Sequence, residues 1–371
     1  MNREEFIEKQ AAFQFGECHA APDVSLTGLA GRGSSLAIYH DPSDQRLLPE
    51  RHAAGLSRGA DGRWTYGPPG TNPKGRINAQ LLNDLHAYGV RHPFLANMEN
   101  AVRRPQPDFP QFQYHRYIGS KNTIIWPLER VHGIGRRSFC ALPSESEPSF
   151  KDKKPVVFWR GSMVGMSTYG GKVTNIQRVI RQCVEGEIEK ELLLAHLGTL
   201  SRWNFVSRYH GRDGFDVGFH QSERRNYYNE VPELARLNKP SVTPAEQTHC
   251  KYVVTLQGND VGSSFGWQIG TYCVILKETY PWEVFFDCHF RPWEHFVPIS
   301  PDLSDVEERL AWGEANPDAC EEMSQKRHVV VRLLLDESIR DAALRGVVKR
   351  YNSFYENNVG RIRVKHAEPS S

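Results

Sequence analysis

Gly258-Asn259-Asp260-Val261-Gly262-Ser263-Ser264-Phe265 is the part of the chain best suited to hold an anion. It follows an apolar, β-branched run from Tyr252 to Leu256 that reads as a strand. The small polar residues lead into a helical pattern with Phe265, Ile269 and Tyr272 near one face, and a second buried strand follows from Cys273 to Leu276. In such a β–loop–α–β unit the first amides of the helix have no intrahelical acceptor, and the helix dipole favours negative charge there. An ordinary connecting turn is the plainer alternative. A second loop of this kind lies upstream, where the run Pro155 to Trp159 ends in Arg160-Gly161-Ser162. An arginine at a strand end can fork onto phosphate oxygens, and Gly161 would let backbone approach a ligand closely. Arg160 could equally pair with a carboxylate.

Taken together, these loops resemble glycosyltransferase family 90, the lipopolysaccharide-modifying and protein O-glucosyltransferase-like family, in a bacterial-type form. Trp159-Arg160-Gly161-Ser162 is similar to that family's aromatic-Arg-Gly-Ser strand end. Lys251-Tyr252 followed by Gly258 to Ser263 resembles its Lys-Tyr strand, Gly-Asn loop and Ser-bearing helix start. Pro292-Trp293-Glu294-His295-Phe296-Val297-Pro298 and Asp302-Leu303-Ser304-Asp305-Val306-Glu307 complete four motifs in the family's order, over roughly residues 75 to 335.

The resemblance implies a GT-B-like fold, with two Rossmann-like α/β domains facing a cleft. It implies inverting transfer of glucose or xylose from a UDP-sugar, the co-substrate, to a hydroxyl of a glycan or surface-polysaccharide precursor. Arg160, Gly161 and Ser162, with Gly258, Asn259, Asp260, Gly262, Ser263, Ser264 and Phe265, would face the donor diphosphate. Many relatives carry Arg where Ser264 stands, so some cationic help is either missing here or supplied from elsewhere. The segment Tyr209 to Phe219 matches a family stretch near the nucleotide base. There His210 or Arg212 could touch phosphate, Phe215 or Phe219 could pack on uracil, and Asp216 lies between them. A turn around a buried aromatic pair is the alternative. Family members place a catalytic carboxylate in an Asn-x-x-Asp-x-Pro pattern. Aligning Asn97 with that asparagine puts Asn100 at the aspartate, and an amide cannot take the proton. Glu99, one residue away, is the preferred base and Asp108 the second choice. A non-catalytic sugar-nucleotide or glycan-binding protein, a lapsed transferase, is the competing reading.

Other chemistries find less support. The chain has no Asp-x-Asp, no His-Glu-x-x-His and no Cys/His cluster, so neither a metal site nor a cofactor is expected. Gly165 to Lys172 looks Walker-like, but counting back from Gly171-Lys172 puts Met166 where the first glycine belongs. A formal net charge of +2 over 371 residues leaves no broad footprint for nucleic acid. Seven cysteines show no CxxC pair, which suits reduced thiols. The charged start MNREEFIEKQ lacks the apolar core of a secretory signal, and no apolar run reaches membrane-spanning length. A cytoplasmic enzyme, meeting a membrane only peripherally through its acceptor, is the resulting expectation.

The elements that must position these loops alternate between strand and helix, as in an α/β protein with mainly parallel sheets. A helix is expected over Glu4 to Phe13, with nothing further assigned before residue 72. Ile77, Leu81, Leu82 and Leu85 predict a helix that Gly89 ends. Strands are expected at His92 to Ala96 and Asn122 to Trp126. Residues 141 to 154, ending in the solvated cluster Lys151-Asp152-Lys153-Lys154, form the linker between a domain at 1–150 and one at 151–335. A helical region from Thr174 to Leu197 follows. Ser304 and Glu307 predict a capping box, and helices over Asp318 to Leu334 and Glu337 to Tyr355 lead into a C-terminal segment at 336–371.

Overall fold

The computed structural model describes residues 2–32, 37–43, 45, 47–67, 75–99, 107–127, 142–144, 146–220 and 223–363. The chain is α/β and divides into two compact units. The first gathers Met1–Ile134, Pro281–Cys288 and Leu333–Ser371; the second gathers Gly135–Tyr280 and His289–Arg332.

In the first unit a five-stranded sheet comprises β1 (Ala37–His40), β2 (Leu47–Leu48), β3 (Phe94–Asn97), β4 (Gln111–Gln113) and β5 (Thr123–Ile125), in the order β2-β1-β3-β4-β5. β3, β4 and β5 run parallel, while β1 is antiparallel to both β2 and β3. The sheet is therefore mixed, where a mainly parallel one was expected. The helix Gly75–Ala87 buries Leu81, Leu82 and Leu85, and Gly89 stops it at φ 86° while Val90 N–H donates to the Leu85 carbonyl. The helix Arg3–Phe15 opens on an Asn2–Glu5 capping box. It packs against the long helix Glu337–Asn358, where a Cβ on Gly346 would stand only 2.9 Å from Ala11 Cβ. Residues before 72 hold more structure than expected: a helix at Leu26–Arg32, β1, β2 and a hairpin pairing Leu56–Arg58 with Trp64–Tyr66. Their apolar runs are too short to show a period. Of the expected turn Gly67 to Gly70, only Gly67 lies within the described residues.

The second unit is built on five parallel strands: β6 (Lys154–Gly161), β7 (Phe215–Phe219), β8 (Cys250–Thr255), β9 (Val274–Glu278) and β10 (Val297–Ile299). Their order is β7-β6-β8-β9-β10, and every pair is parallel. Counting along the chain, this is the doubly wound order 2-1-3-4-5. Both faces are covered, so the strand residues Val253, Val254, Val274, Ile275 and Leu276 are all buried. The helical region after Thr174 splits into Ile176–Val184 and Lys190–Leu197, broken at Gly186, whose φ is 73°.

Three local expectations fail for visible reasons. Lys153 is not solvated: its ammonium is fully buried on Glu147 at 2.8 Å, and Glu147 also accepts Tyr272 N–H. Ser304 does not cap the next helix, because its hydroxyl donates to Asp302 and Glu307 pairs with Arg212; Val306–Ala315 starts instead at Asp305 with no side-chain cap. The helix expected after Gly262 is a single turn, Phe265–Gln268. Phe265 and Ile269 are buried as the pattern predicts, but no second turn forms.

Candidate functional site

In a doubly wound sheet the ligand crevice lies beyond the carboxyl ends of the strands, where the order reverses. Here that point falls between β6 and β8. The loops leaving these two strands are Gly161-Ser162 and Leu256 to Ser264, the two singled out by their chemistry.

A residue that the sequence did not single out joins them. Arg202, on the helix Ser201–Tyr209, donates to the Gln257 carbonyl at 2.8 Å, to the Ser162 carbonyl at 2.8 Å and to Leu256 at 3.3 Å. Its Nη2 would stand 3.0 Å from a Cβ at Gly258, so that position must stay small. Beside it Glu278, at the end of β9, accepts from Gln257 N–H at 2.6 Å and from the Ser201 hydroxyl at 2.8 Å. Burial pushes the Glu278 carboxyl up, against the pull of those two bonds and of the Arg202 charge. Arg202 and Glu278 thus grip one peptide from its two sides. In the sequence they are an arginine in an ordinary helix and a strand-end glutamate; only the fold brings them together.

Beyond this grip the loop turns over Gly262. A Cβ there would lie 2.4 Å from Thr255 Cγ2 and 2.9 Å from the Leu256 carbonyl, so glycine alone lets the loop fold back on β8. Ser263 is exposed and Ser264 half-buried. Among the described residues, the N–H groups of Gly262, Ser263 and Ser264 have no protein acceptor, whereas those of Phe265, Gly266 and Trp267 bond back to Gly262, Ser263 and Ser264. The available amides therefore sit in the loop and not in the helix, which is too short to carry much of a dipole. Among the described residues no donor meets the buried Asn259 side-chain oxygen. Asp260 turns inward and accepts from Val261 N–H at 2.7 Å. The Lys277 ammonium lies 5.2 Å from the centre of the Phe265 ring and 4.1 Å from that of Tyr280, a positive charge close to the loop.

Arg160 departs from its expected role. Its Nε donates to the Pro240 carbonyl, Nη1 to the carbonyls of Trp159 and Asp216, and Nη2 to the Asp216 carboxylate at 2.8 Å. The side chain is only 7% exposed, so its fork is committed and a bidentate phosphate contact would break these bonds. Gly161 is needed by its own strand, since a Cβ would meet the Trp159 ring at 2.7 Å. Ser162 donates its hydroxyl to the His220 carbonyl at 3.0 Å, and His220, exposed at the end of β7, joins this edge unpredicted.

The segment before β7 lies elsewhere. Phe215 pairs with Val157 and Phe219 with Gly161, so His210, Arg212 and Phe215 stand at the amino edge of the sheet, opposite the two loops. There His210 Nδ1–H donates to Val217, Arg212 pairs with Glu307 at 2.6 Å, and Phe215 stacks on Tyr209 with centroids 4.3 Å apart. Phe219 is fully buried against Trp159. Partial burial pushes the Asp216 carboxyl up, but bonds from Lys239 and Arg160 outweigh it and hold it below the usual range. The alternative of a turn around packed aromatics describes this segment.

The base candidates lie in the first unit. Glu99, half-buried, follows the carboxyl end of β3, its N–H donating to the Asn97 side chain at 3.3 Å. Asp108 precedes the amino end of β4, which pairs with β3 in parallel, so the two carboxylates stand at opposite edges of that sheet. Asn100 lies outside the described residues. Among the described residues no group of three or more His, Cys, Asp or Glu could hold a metal ion, and no helix is long and apolar enough to cross a membrane.

Comparison with known proteins finds similarity over the later part of the chain. The pattern of the family described as Glycosyl transferase family 90 matches residues 216–358. The match takes in 143 of the 371 residues (358 − 216 + 1) and likens this part of the chain to that family of glycosyltransferases. It is 26% identical over 197 residues to the uncharacterized protein 035R of Invertebrate iridescent virus 3, covering 52% of this chain and 16% of that one. It is 30% identical over 142 residues to the uncharacterized protein 179R of Invertebrate iridescent virus 6, covering 36% and 12%. Human protein O-glucosyltransferase 1 is 27% identical over 128 residues, covering 34% of this chain and 33% of the human protein. The chain thus spans a third or less of the length of these relatives. They are viral and mammalian, so the bacterial affiliation stays an expectation.

Proposed function

We propose that the chain transfers a hexose or pentose, glucose or xylose, from a UDP-sugar to a hydroxyl of a glycan or polysaccharide precursor. The observation that carries this reading is the switch-point edge of the second unit, where three loop amides and a buried acceptor on Asn259 fall within the matched residues 216–358 and the Arg202–Glu278 grip holds their loop. The Gly262, Ser263 and Ser264 amides receive the diphosphate, and Lys277 and Arg202 supply positive potential beside it. Ser264 therefore needs no arginine in its place. Arg160 acts through Asp216 and the strand ends.

In this reading the chain works in the GT-B manner, the second unit binding donor and the first supplying the base. Glu99 takes the acceptor proton in an inverting, in-line displacement, without a metal ion and in the cytoplasm. A lapsed transferase that binds donor without turnover is favoured by one observation, the amide Asn100 where the resemblance expects an aspartate.

Screening UDP-sugars by thermal unfolding tests donor binding, since a ligand at ~100 times its dissociation constant adds about 2.7 kcal/mol. Transfer by the stabilising donor should persist in excess chelator. Loss of activity in EDTA with recovery in Mn²⁺ would overturn the electrostatic account. Stabilisation with no transfer to any acceptor would favour the lapsed transferase.

A further inference from the structure

The first unit contains a cavity of about 200 Å³ that none of the foregoing uses. It lies between the helices Arg3–Phe15 and Gly75–Ala87 and the start of Glu337–Asn358, and reaches Pro127 just past the carboxyl end of β5. Its volume is below the ~300–1,000 Å³ that takes drug-sized ligands, which leaves room for one small ring.

Two kinds of surface meet there. Phe6, Phe285, Ile339 and Leu344 form apolar wall. Gln80, Asp84, Tyr88, Arg340 and Asp341 bring amide, carboxylate, phenol and guanidinium groups to the same space. Bonds to one another and to neighbouring groups hold Asp84, Tyr88, Arg340 and Asp341 in place. Tyr88 O–H donates to Asp341 at 2.6 Å, and Trp126 Nε1–H to Asp84 at 3.4 Å. The Arg340 Nη1 donates to the carbonyls of Leu334 and Leu335. A carboxylate offers about four lone-pair positions, so the single bond from Tyr88 leaves Asp341 able to accept paired hydroxyls. Likewise Arg340 keeps its Nε and Nη2 hydrogens, and donors and acceptors stand together on rigid helices.

A ligand matching this must present several hydroxyls that both donate and accept, over a compact body with apolar C–H faces. We propose that the cavity binds a single sugar ring, free or as the end unit of a glycan. This assignment does not depend on the donor site or on the chain being active.

Saturation-transfer NMR on the intact protein tests it, with D-glucose, D-xylose, D-galactose, their methyl glycosides, glycerol and spermidine as probes, all in the presence of excess UDP. At least one sugar should bind roughly tenfold better than glycerol and be undiminished by UDP. Gln80→Ala should weaken it about fivefold, the loss of one to two ligand hydrogen bonds. Ala343→Met, which adds bulk to a residue lining the cavity, should abolish binding with thermal unfolding near that of the wild type. If the methyl glycosides bind as well as the free sugars, the ligand is the end unit of a glycan; if only free sugars bind, it is the monosaccharide. Binding lost on adding UDP, binding intact in both variants, preference for spermidine, or no sugar bound at roughly 50 mM, far above the millimolar range of weak sites, would each overturn the proposal. Should Ala343→Met fail to fold, Gln80→Ala decides, because that side chain is half-buried on a helix and makes no bond that holds the backbone.

Discussion

The two edges of the second unit's sheet hold opposite kinds of residue. The amino edge carries the side chains that look most like a phosphate and base site: His210, Arg212 and Phe215. Each is occupied, by Val217, Glu307 and Tyr209. The carboxyl edge is plainer, made of glycine, serine and asparagine, and it is there that amides and an acceptor stand without partners among the described residues. Residue type alone misleads because arginine and aspartate are also the strongest structural fasteners. What separates the edges is whether the fold has already answered a group's bonding demand. In the first unit the two candidate carboxylates also stand at opposite edges, Glu99 beyond the carboxyl end of β3 and Asp108 before the amino end of β4.

The sharpest way to break the comparison is in that unit. Glu99→Gln keeps shape and removes basicity, so turnover should fall ~10²–10⁴-fold with donor affinity nearly unchanged. Asp108→Asn should turn over normally. A dead Asp108→Asn beside an active Glu99→Gln would reverse the assignment of edges.

The next test exchanges fasteners. Arg160→Ala removes one of the Asp216 carboxylate's two donors, Lys239 remaining, and the arginine's bonds to three carbonyl groups. It should destabilise the protein by about 1.5–3 kcal/mol in urea unfolding, with UDP affinity changing little in the folded fraction. Lysine should recover only part, lacking the fork. Arg212→Ala, at an exposed pair, should leave both stability and UDP binding as they are. A stable Arg160→Ala protein that no longer binds UDP would restore the arginine to the diphosphate and sink the distinction drawn here.

Much of the fold was legible in the sequence. The strands at 154–161, 250–255 and 274–278 fall where β-branched apolar runs placed them, because strands buried on both faces need such runs, and 94–97 overlaps the short strand expected at His92 to Ala96. The helices Gly75–Ala87 and Glu337–Asn358 followed from their period. Register was not legible. Nothing in the order of residues 209–219 says that Phe215 pairs with Val157, and that pairing moves the segment to the far edge. Arg202 was missed for the same reason, its three acceptors lying about 40 to 55 residues away in the chain.

A smaller effect is expected at Gly262. Adding one methyl pushes against Thr255 and the Leu256 carbonyl, so Gly262→Ala should cost about 1–3 kcal/mol as overpacking does, and weaken UDP more than it weakens the fold. Calorimetric titration with UDP on the folded variant checks this. Unchanged affinity would mean that the loop's amides do not receive the donor.

The smallest effect is a pH dependence. The folded-state pKa of Glu278 is raised, so its contribution to stability is fully present below the unfolded value and is lost as pH rises through the folded one. Relative to Glu278→Gln, the wild type should therefore lose stability as pH rises from about 4.5, the usual glutamate range. Urea midpoints of both proteins between pH 4 and about 8 measure it, and parallel curves would show that Arg202 and the loop amide fully compensate the buried charge.

The division of the chain also orders its own making. Along the sequence the second unit is inserted within the first, whose closing segment begins at Leu333, 199 residues after Ile134 (333 − 134). At ~5–20 residues per second a ribosome takes roughly 10–40 s to travel that distance. Throughout it the opening segment has its sheet but not the helix Glu337–Asn358, against which the helix Arg3–Phe15 and the apolar side chains around Phe112 are meant to pack. The unit begun first is therefore the one finished last. During synthesis it is the early half, with its uncovered apolar face, that depends on a chaperone or on speed.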